Sequence, residues 1–251
     1  MIGFVVLCLI SSVNYIINDL RDLEADRIHP LKRDRPLASS TVSIRQAIIL
    51  ILVIFPFSSY LAYLVDFEFV LVVLALFITS QIYSFWAKKI IIVDTIIIAT
   101  DHVWRALAGI PLLSGSQYPP LSIWFIFGVF FIAMLLATGK RIAELKLDID
   151  DASNIRKTLG EYTEKILEHQ LSVISSTIVL FYSLYIISSQ ENHILMSITI
   201  PVVIYAILRY HYLLSSKKRD VGNPELLFLD RPIVASIIIW AALTVVIMYF
   251  F

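Results

Sequence analysis

The chain has 251 residues, of which 59% are hydrophobic and 16% charged, and its 20 basic residues balance its 20 acidic ones. A soluble domain of this length would be nearer half apolar and a quarter charged, so the composition excludes an ordinary soluble protein. Several apolar runs exceed the roughly 18 residues that cross a bilayer. The single cysteine, Cys8, lies in such a run, which excludes a disulfide framework and a cysteine-based metal site.

The apolar runs predict an all-α integral membrane protein, a bundle of about eight transmembrane helices. In chain order these helices are expected at 1–17, 44–65, 67–86, 91–112, 120–138, 168–188, 192–214 and 231–251. No hydrophilic domain interrupts the pattern. Residues 1–251 are therefore expected to form a single membrane domain.

The basic residues are distributed unevenly over the connections between these helices. Apart from Arg105 and Arg209, all of them lie in or beside four alternate connections, namely 18–43, 87–90, 139–167 and 215–230. The remaining connections carry acidic residues only. The positive-inside rule places the basic connections in the cytoplasm. We therefore expect a multi-pass protein of the plasma membrane with these polar loops on its cytoplasmic side.

An acidic cluster opens the first of these connections. At about 100° per residue, a helix would place four side chains on one arc of about a quarter turn: Asn18, Asp19, Asp22 and Asp26. Carboxylate and amide oxygens are ligands that Mg²⁺ prefers, and clustered carboxylates repel each other unless a cation lies among them. The arc predicts a Mg²⁺ site. The alternative is a solvated helix end, but that would carry basic i,i+4 partners, and Arg21 and Arg27 point elsewhere.

A short basic segment follows the acidic cluster. Lys32, Arg33 and Arg35 lie in a loop stiffened by Pro30 and Pro36. Basic side chains beside a metal site could bind the same diphosphate from a second direction. Positive charge flanking a membrane helix is the simpler alternative for some of them.

A third polar cluster follows the fifth predicted span. If that span continues as a helix, Lys140, Arg141, Glu144 and Asp148 share about 100° of arc, with Arg156 and Tyr162 further along the same loop. A phosphate-binding site with one carboxylate is one interpretation. A solvated helix with i,i+4 pairs such as Lys140–Glu144 is the other.

The fourth predicted span carries ionisable residues at membrane depth, among them Asp101 and Arg105. Such residues usually face a bundle interior or a hydrated cavity. A structural Asp101–Arg105 pair at i,i+4 is the favoured interpretation. A proton relay would normally place such residues on several helices.

The motif Asn18-Asp19-x-x-Asp22-x-x-x-Asp26, which follows a membrane helix, resembles the first Asp-rich motif of the UbiA superfamily of intramembrane prenyltransferases. Within that superfamily, the chain is similar to the branch that transfers phosphoribosyl groups to polyprenyl phosphates. The segments that carry this similarity are His29-Pro30-x-Lys32-Arg33-x-Arg35-Pro36, Gly139-Lys140-Arg141-x-x-Glu144, Arg156-x-x-Leu159-x-x-Tyr162 and Pro224-Glu225-Leu226-Leu227.

The resemblance implies a helical bundle with a cavity open to lipid, 5-phosphoribosyl 1-diphosphate as donor, a polyprenyl phosphate as acceptor and Mg²⁺ as cofactor. It places metal ligands at Asn18 and Asp22 and catalytic carboxylates at Asp22 and Asp26. The substrate-binding residues that it implies are Tyr15, Asp19, Lys32, Arg33, Arg35, Lys140, Arg141, Glu144, Arg156 and Tyr162. No nucleic-acid partner is expected.

Two departures from the superfamily pattern affect these expectations. Most members carry a second Asp-rich motif where this chain has Lys140, Arg141 and Glu144, which favours a phosphoribosyl donor over a prenyl diphosphate. The superfamily also has an additional first helix, so the bundle expected here lacks it.

Prenyl transfer to an aromatic or glycerol acceptor remains the alternative activity. A transporter or an inactive lipid-binding protein is the alternative outside enzymes, although the sequence has no inverted repeat or broken helix pair.

Overall fold

The computed structural model describes residues 2–28, 32–112, 122–146, 161–188, 193–216 and 227–250. Within these ranges every regular element is a helix and none is a strand, which confirms the predicted all-α class. The chain divides into two compact units, Met1–Ser122 with Asp150–Glu161, and Ile123–Ile149 with Tyr162–Phe251. The expectation of one membrane domain over 1–251 stays a prediction.

The described part of the first unit contains six α-helices and a one-turn 3₁₀ helix. They are α1 (Ile2–Arg21), α2 (Leu23–Ile28), α3 (Ile44–Val65), α4 (Phe67–Phe85), the 3₁₀ helix Ala87–Lys89, α5 (Val93–Leu107) and α6 (Gly109–Leu112). Ser43 and Gln46 form a capping box that begins α3. Asp66 separates α3 from α4, because its carboxylate accepts the backbone N–H of Glu68 at 2.7 Å and caps α4.

Among its described residues, the second unit contains five α-helices and one 3₁₀ turn. They are α7 (Ile123–Lys146), α8 (Glu164–Ser188), α9 (His193–Met196), the 3₁₀ turn Ser197–Thr199, α10 (Ile200–Ser215) and α11 (Arg231–Phe250). α7 continues to Lys146, as the third polar cluster requires. Lys146 donates to the backbone oxygen of Leu214 at 2.9 Å and so caps the end of α10. Asp230 caps α11 by accepting the backbone N–H of Ile233 at 3.1 Å.

Among the described residues, seven helices are long and apolar enough to cross a membrane, judged by length and composition. The span predicted at 91–112 is not among these seven, because its helix breaks at Ala108. α5 has 15 residues and α6 has 4. Pro111 has no N–H to donate to the carbonyl of Leu107, so an uninterrupted α-helical ladder cannot pass this point.

The core of the first unit lies where α1 meets α4. Val6 and Ile10 are 0% and 1% exposed, and they cluster with Phe69 and Leu76, both fully buried. α4 packs against α1, α3 and α5, so it is the central helix of this unit. This arrangement lets α4 present polar side chains to two neighbouring helices at once.

Candidate metal and diphosphate site

A row of polar side chains occupies one face of α1. Asn14, Asn18, Asp22 and Asp26 follow one another at intervals of four residues, so each lies about one turn beyond the last. The helix bends at Asp22, but its hydrogen bonding continues: Asp22 N–H donates to the Asn18 carbonyl at 2.9 Å and Asp26 N–H to the Asp22 carbonyl at 2.8 Å. The predicted acidic face therefore continues from α1 into α2.

Two members of the row contact α4 and the 3₁₀ helix that follows it. Ser84 Oγ donates to Asn18 Oδ1 at 3.2 Å. Lys88 Nζ forms a short ion pair with the carboxylate of Asp22. Lys88 is only 7% exposed, so its ammonium group depends on carboxylate partners for stabilisation. The two expected metal ligands, Asn18 and Asp22, thus share one side of the acidic face.

The other side of the acidic face binds a single arginine. Arg35 Nη1 lies 2.8 Å from Asp19 Oδ1 and 2.8 Å from Asp26 Oδ2. Asp26 is 4% exposed, so this pair is largely shielded from water at the carboxylate end. Arg35 belongs to the predicted basic loop, and the structure places its guanidinium between two carboxylates.

Each of the three carboxylates of this face therefore has a side-chain cation as a partner, although two cations face three carboxylates. Lys88 pairs with Asp22, and Arg35 bridges Asp19 and Asp26. This arrangement satisfies the expectation that clustered carboxylates need a cation among them. Arg21 lies away from them, with its guanidinium 4.4 Å from the ring centroid of Phe85. The solvated-helix alternative is disfavoured, because the basic partners come from other segments rather than from i,i+4 positions.

The oxygens of Asn18 and Asp22 suit Mg²⁺ in chemistry but do not form a complete cage. In the part of the chain that the structure describes, no three Asp, Glu, His or Cys side chains are grouped to hold a metal ion. Mg²⁺ typically binds through one or two carboxylates together with waters and substrate phosphates. One amide and one carboxylate, with cations close by, fit a metal that arrives with a diphosphate.

The remaining predicted residues of the first unit differ in exposure. Tyr15 is 67% exposed on α1, off the polar row. Arg33 is exposed and Lys32 is half-buried, both in the turn that leads to Arg35. Arg33 is thus available to solvent-borne phosphates, whereas Arg35 is committed to carboxylates in this structure.

In the second unit the predicted basic cluster divides into an exposed and a buried member. Lys140 is exposed, while Arg141 is 2% exposed and donates to Glu144 at 2.7 Å. The i,i+4 alternative Lys140–Glu144 is thereby replaced by an i,i+3 pair from Arg141 to Glu144. Tyr162 is 4% exposed. Asp148 and Arg156 lie outside the described residues.

Comparison with known proteins identifies the family. The model of the UbiA prenyltransferase family matches residues 1–230. The chain belongs to this family. Its UbiA relatives include several decaprenyl-phosphate phosphoribosyltransferases. That of Mycolicibacterium smegmatis is 30% identical over 95% of this chain and 77% of the relative. That of Corynebacterium glutamicum is 33% identical over 73% of this chain and 55% of the relative.

A solved structure confirms the UbiA fold. A UbiA homologue from Archaeoglobus fulgidus, bound to DMAPP and Mg²⁺, superposes with a TM-score of 0.73 and 19% identity, covering 99% of this chain and 87% of the other. Family membership also confirms that the chain is a multi-pass membrane protein and a membrane transferase.

Lys88 is a residue of the candidate site that the sequence interpretation overlooked. The connection 87–90 is short and basic in the sequence, but Lys88 is 66 residues from Asp22 along the chain. The sequence did indicate that Lys88 could lie near the acidic cluster, because the predicted topology places both on the same side of the membrane. Ser84 carried no comparable signal.

Proposed function

We propose that the chain transfers a phosphoribosyl group from 5-phosphoribosyl 1-diphosphate to a polyprenyl phosphate. The observation that carries the proposal is the ion pair of Lys88 with Asp22 beside Asn18, a set of oxygens and a cation suited to one metal-bound diphosphate. The similarity to decaprenyl-phosphate phosphoribosyltransferases supports the choice of donor. We also place the chain in the plasma membrane, with the acidic face on the cytoplasmic side.

Asn18 and Asp22 would hold Mg²⁺ through their side-chain oxygens. Bound there, the metal would neutralise charge on the diphosphate leaving group. Lys88 would then exchange its carboxylate partner for a phosphate oxygen, because the metal would balance the charge of Asp22. Asp26 and Asp19 would keep Arg35 oriented during that exchange, and the exposed Arg33 and half-buried Lys32 would add further contacts.

The reaction needs little covalent work from the protein. A phosphate oxygen of the lipid forms a bond to the anomeric carbon of the ribose, and the bond from that carbon to the diphosphate breaks with its electron pair on the departing oxygen. The attacking oxygen is already ionised, so no protein base is required. The protein contributes positioning of the donor and stabilisation of charge on the leaving group.

The test is a two-donor assay in membranes that contain the chain. Labelled phosphoribosyl diphosphate is supplied with a polyprenyl phosphate and Mg²⁺, and label is measured in the lipid extract. We expect label in lipid only when all three are present. In parallel, a labelled prenyl diphosphate is supplied with an aromatic or a glycerol acceptor. Prenyl transfer without phosphoribosyl transfer would replace the proposal with the alternative UbiA activity.

A further inference from the structure

The contact between α1 and α4 extends one turn deeper than the proposed metal ligands. Gln81 Nε2 donates to Asn14 Oδ1 at 2.8 Å, next to the Ser84–Asn18 contact at 3.2 Å and the Lys88–Asp22 ion pair. The three pairs are separated by 67, 66 and 66 residues along the chain. The two segments therefore run side by side in one register, and each pair lies about one turn from the next.

Asn14 occupies an apolar part of this interface. It is 9% exposed, and the residues one and two turns earlier in the same row, Ile10 and Val6, are 1% and 0% exposed. Its Nδ2 has no hydrogen-bond acceptor within the described residues. A buried amide with one unused donor stabilises less than an aliphatic pair of similar volume would. Maximal stability therefore does not account for Asn14 at this position.

The hydrogen bond between Asn14 and Gln81 can fix the register of α1 against α4. Apolar side chains such as Val6 and Ile10 tolerate small shifts of one helix along another, whereas a hydrogen bond forms in one arrangement only. A single buried asparagine fixes the register of coiled-coil helices in this way. A slip of one residue would rotate the side chains of α1 by about 100° and turn Asn18 and Asp22 away from Ser84 and Lys88.

We propose that Asn14 and Gln81 are a positioning pair that fixes α1 against α4, so that Asn18 and Asp22 face Ser84 and Lys88 and bind a metal–diphosphate complex. The inference rests on the proposed function only in taking Asn18 and Asp22 as the metal ligands. It is independent of which group the donor transfers.

The side of α4 that faces α5 provides a matched control. Ser80 Oγ donates to Asp101 Oδ2 on α5 at 2.6 Å, one residue from Gln81 along α4. Ser80→Ala removes an interhelical hydrogen bond at the same depth without touching the α1 interface. Ser80→Ala and a substitution of Gln81 should both lower the thermal midpoint of the protein, but only the substitution of Gln81 should change the metal site.

The protein is purified in lipid nanodiscs, and its affinity for Mn²⁺ is measured in the presence of inorganic diphosphate. The electron paramagnetic resonance signal of Mn²⁺ reports how much of the ion is bound. Gln81→Met keeps the side-chain length and removes the hydrogen bond. We expect it to weaken Mn²⁺ binding by about threefold to tenfold, the range for a single interhelical hydrogen bond in a membrane. Ser80→Ala should bind Mn²⁺ as the parent does. The exchange variant Asn14→Gln with Gln81→Asn should recover binding.

Unchanged binding in Gln81→Met, or an equal loss in Ser80→Ala, would overturn the positioning role. So would a parent protein that binds no Mn²⁺ with diphosphate, because Asn18 and Asp22 would then not be ligands. A parent that binds Mn²⁺ with diphosphate but transfers no phosphoribosyl group would refute the proposed donor instead. In that case the variants still decide the positioning role.

Discussion

Gly139 on α7 lies directly against the hydroxyl group of Tyr210 on α10. A Cβ at Gly139 would overlap the Tyr210 hydroxyl and would stand 3.2 Å from Leu214 Cδ1. Tyr210 is 5% exposed, so its ring cannot move into open space. Gly139→Ala should therefore destabilise the second unit by about 1–3 kcal/mol, the usual range for overpacking.

Gly128, on the same helix, is the control for this prediction. A Cβ there would meet nothing within 4 Å. Thermal unfolding in detergent, followed by fluorescence-detected size-exclusion chromatography, should show a lower midpoint for Gly139→Ala and no loss for Gly128→Ala. Equal midpoints for the two variants would contradict the close approach of α7 and α10.

The broken helix at 93–112 leads to a topology prediction. The asymmetry of basic residues predicts that this region crosses the membrane, although α5 alone spans only about 22 Å. Reporter fusions after Lys88 and after Ser116, the latter outside the described residues, should report opposite sides. A fusion after Glu161 should match the one after Lys88. If Lys88 and Ser116 report the same side, the region does not cross.

Lys140 is exposed and Arg141 is buried, so substitutions at the two residues should affect substrate binding and stability respectively. Lys140→Ala removes an exposed cation, so it should change the thermal midpoint little. A charge-assisted contact to the donor is worth ~1.5–3 kcal/mol, so its loss should raise the KM for phosphoribosyl diphosphate roughly tenfold to a hundredfold. Arg141→Ala leaves Glu144 without its 2.7 Å ion pair in a largely buried setting, which should cost about 3 kcal/mol. Steady-state kinetics and thermal unfolding together distinguish the two effects.

A Lys140→Ala variant with the parent's KM would remove this residue from the substrate-binding set. An Arg141→Ala variant with the parent's stability would mean that the ion pair with Glu144 contributes little. Lys140→Arg, which keeps the charge, is the control for the kinetic effect.

Local periodicity was sufficient to predict the acidic face, because Asn18, Asp22 and Asp26 lie one helical turn apart within a single segment. It could not predict which cation each carboxylate would bind. Lys88 reaches Asp22 across 66 residues, and that pairing depends on how α1 and α4 pack. The same limit applies to Asn14 and Gln81, whose hydrogen bond joins positions 67 residues apart.

The break at Ala108 within the predicted span 91–112 has a different origin. Hydropathy averaged over the run outweighed a local backbone constraint, since Pro111 interrupts the hydrogen-bond ladder whatever the surrounding polarity. Asp101 shows a related limit. The favoured interpretation paired it with Arg105 on its own helix, whereas the structure gives it hydrogen bonds from Thr79 at 2.5 Å and Ser80 at 2.6 Å on α4.

The central claim is that the acidic face of α1 binds the metal that carries the diphosphate, and the most direct test compares Asp22→Asn with Glu24→Gln. The first substitution keeps a side-chain oxygen as an acceptor for the buried Lys88 but removes its charged partner and the charged metal ligand, so the thermal midpoint is measured alongside to confirm that the variant is folded. Glu24 is exposed and outside the polar row. Label transfer to lipid is measured across a Mg²⁺ titration. We predict that Asp22→Asn weakens the apparent Mg²⁺ affinity or the rate by at least about tenfold, while Glu24→Gln matches the parent. Indistinguishable Mg²⁺ titrations for Asp22→Asn and the parent would contradict the claim.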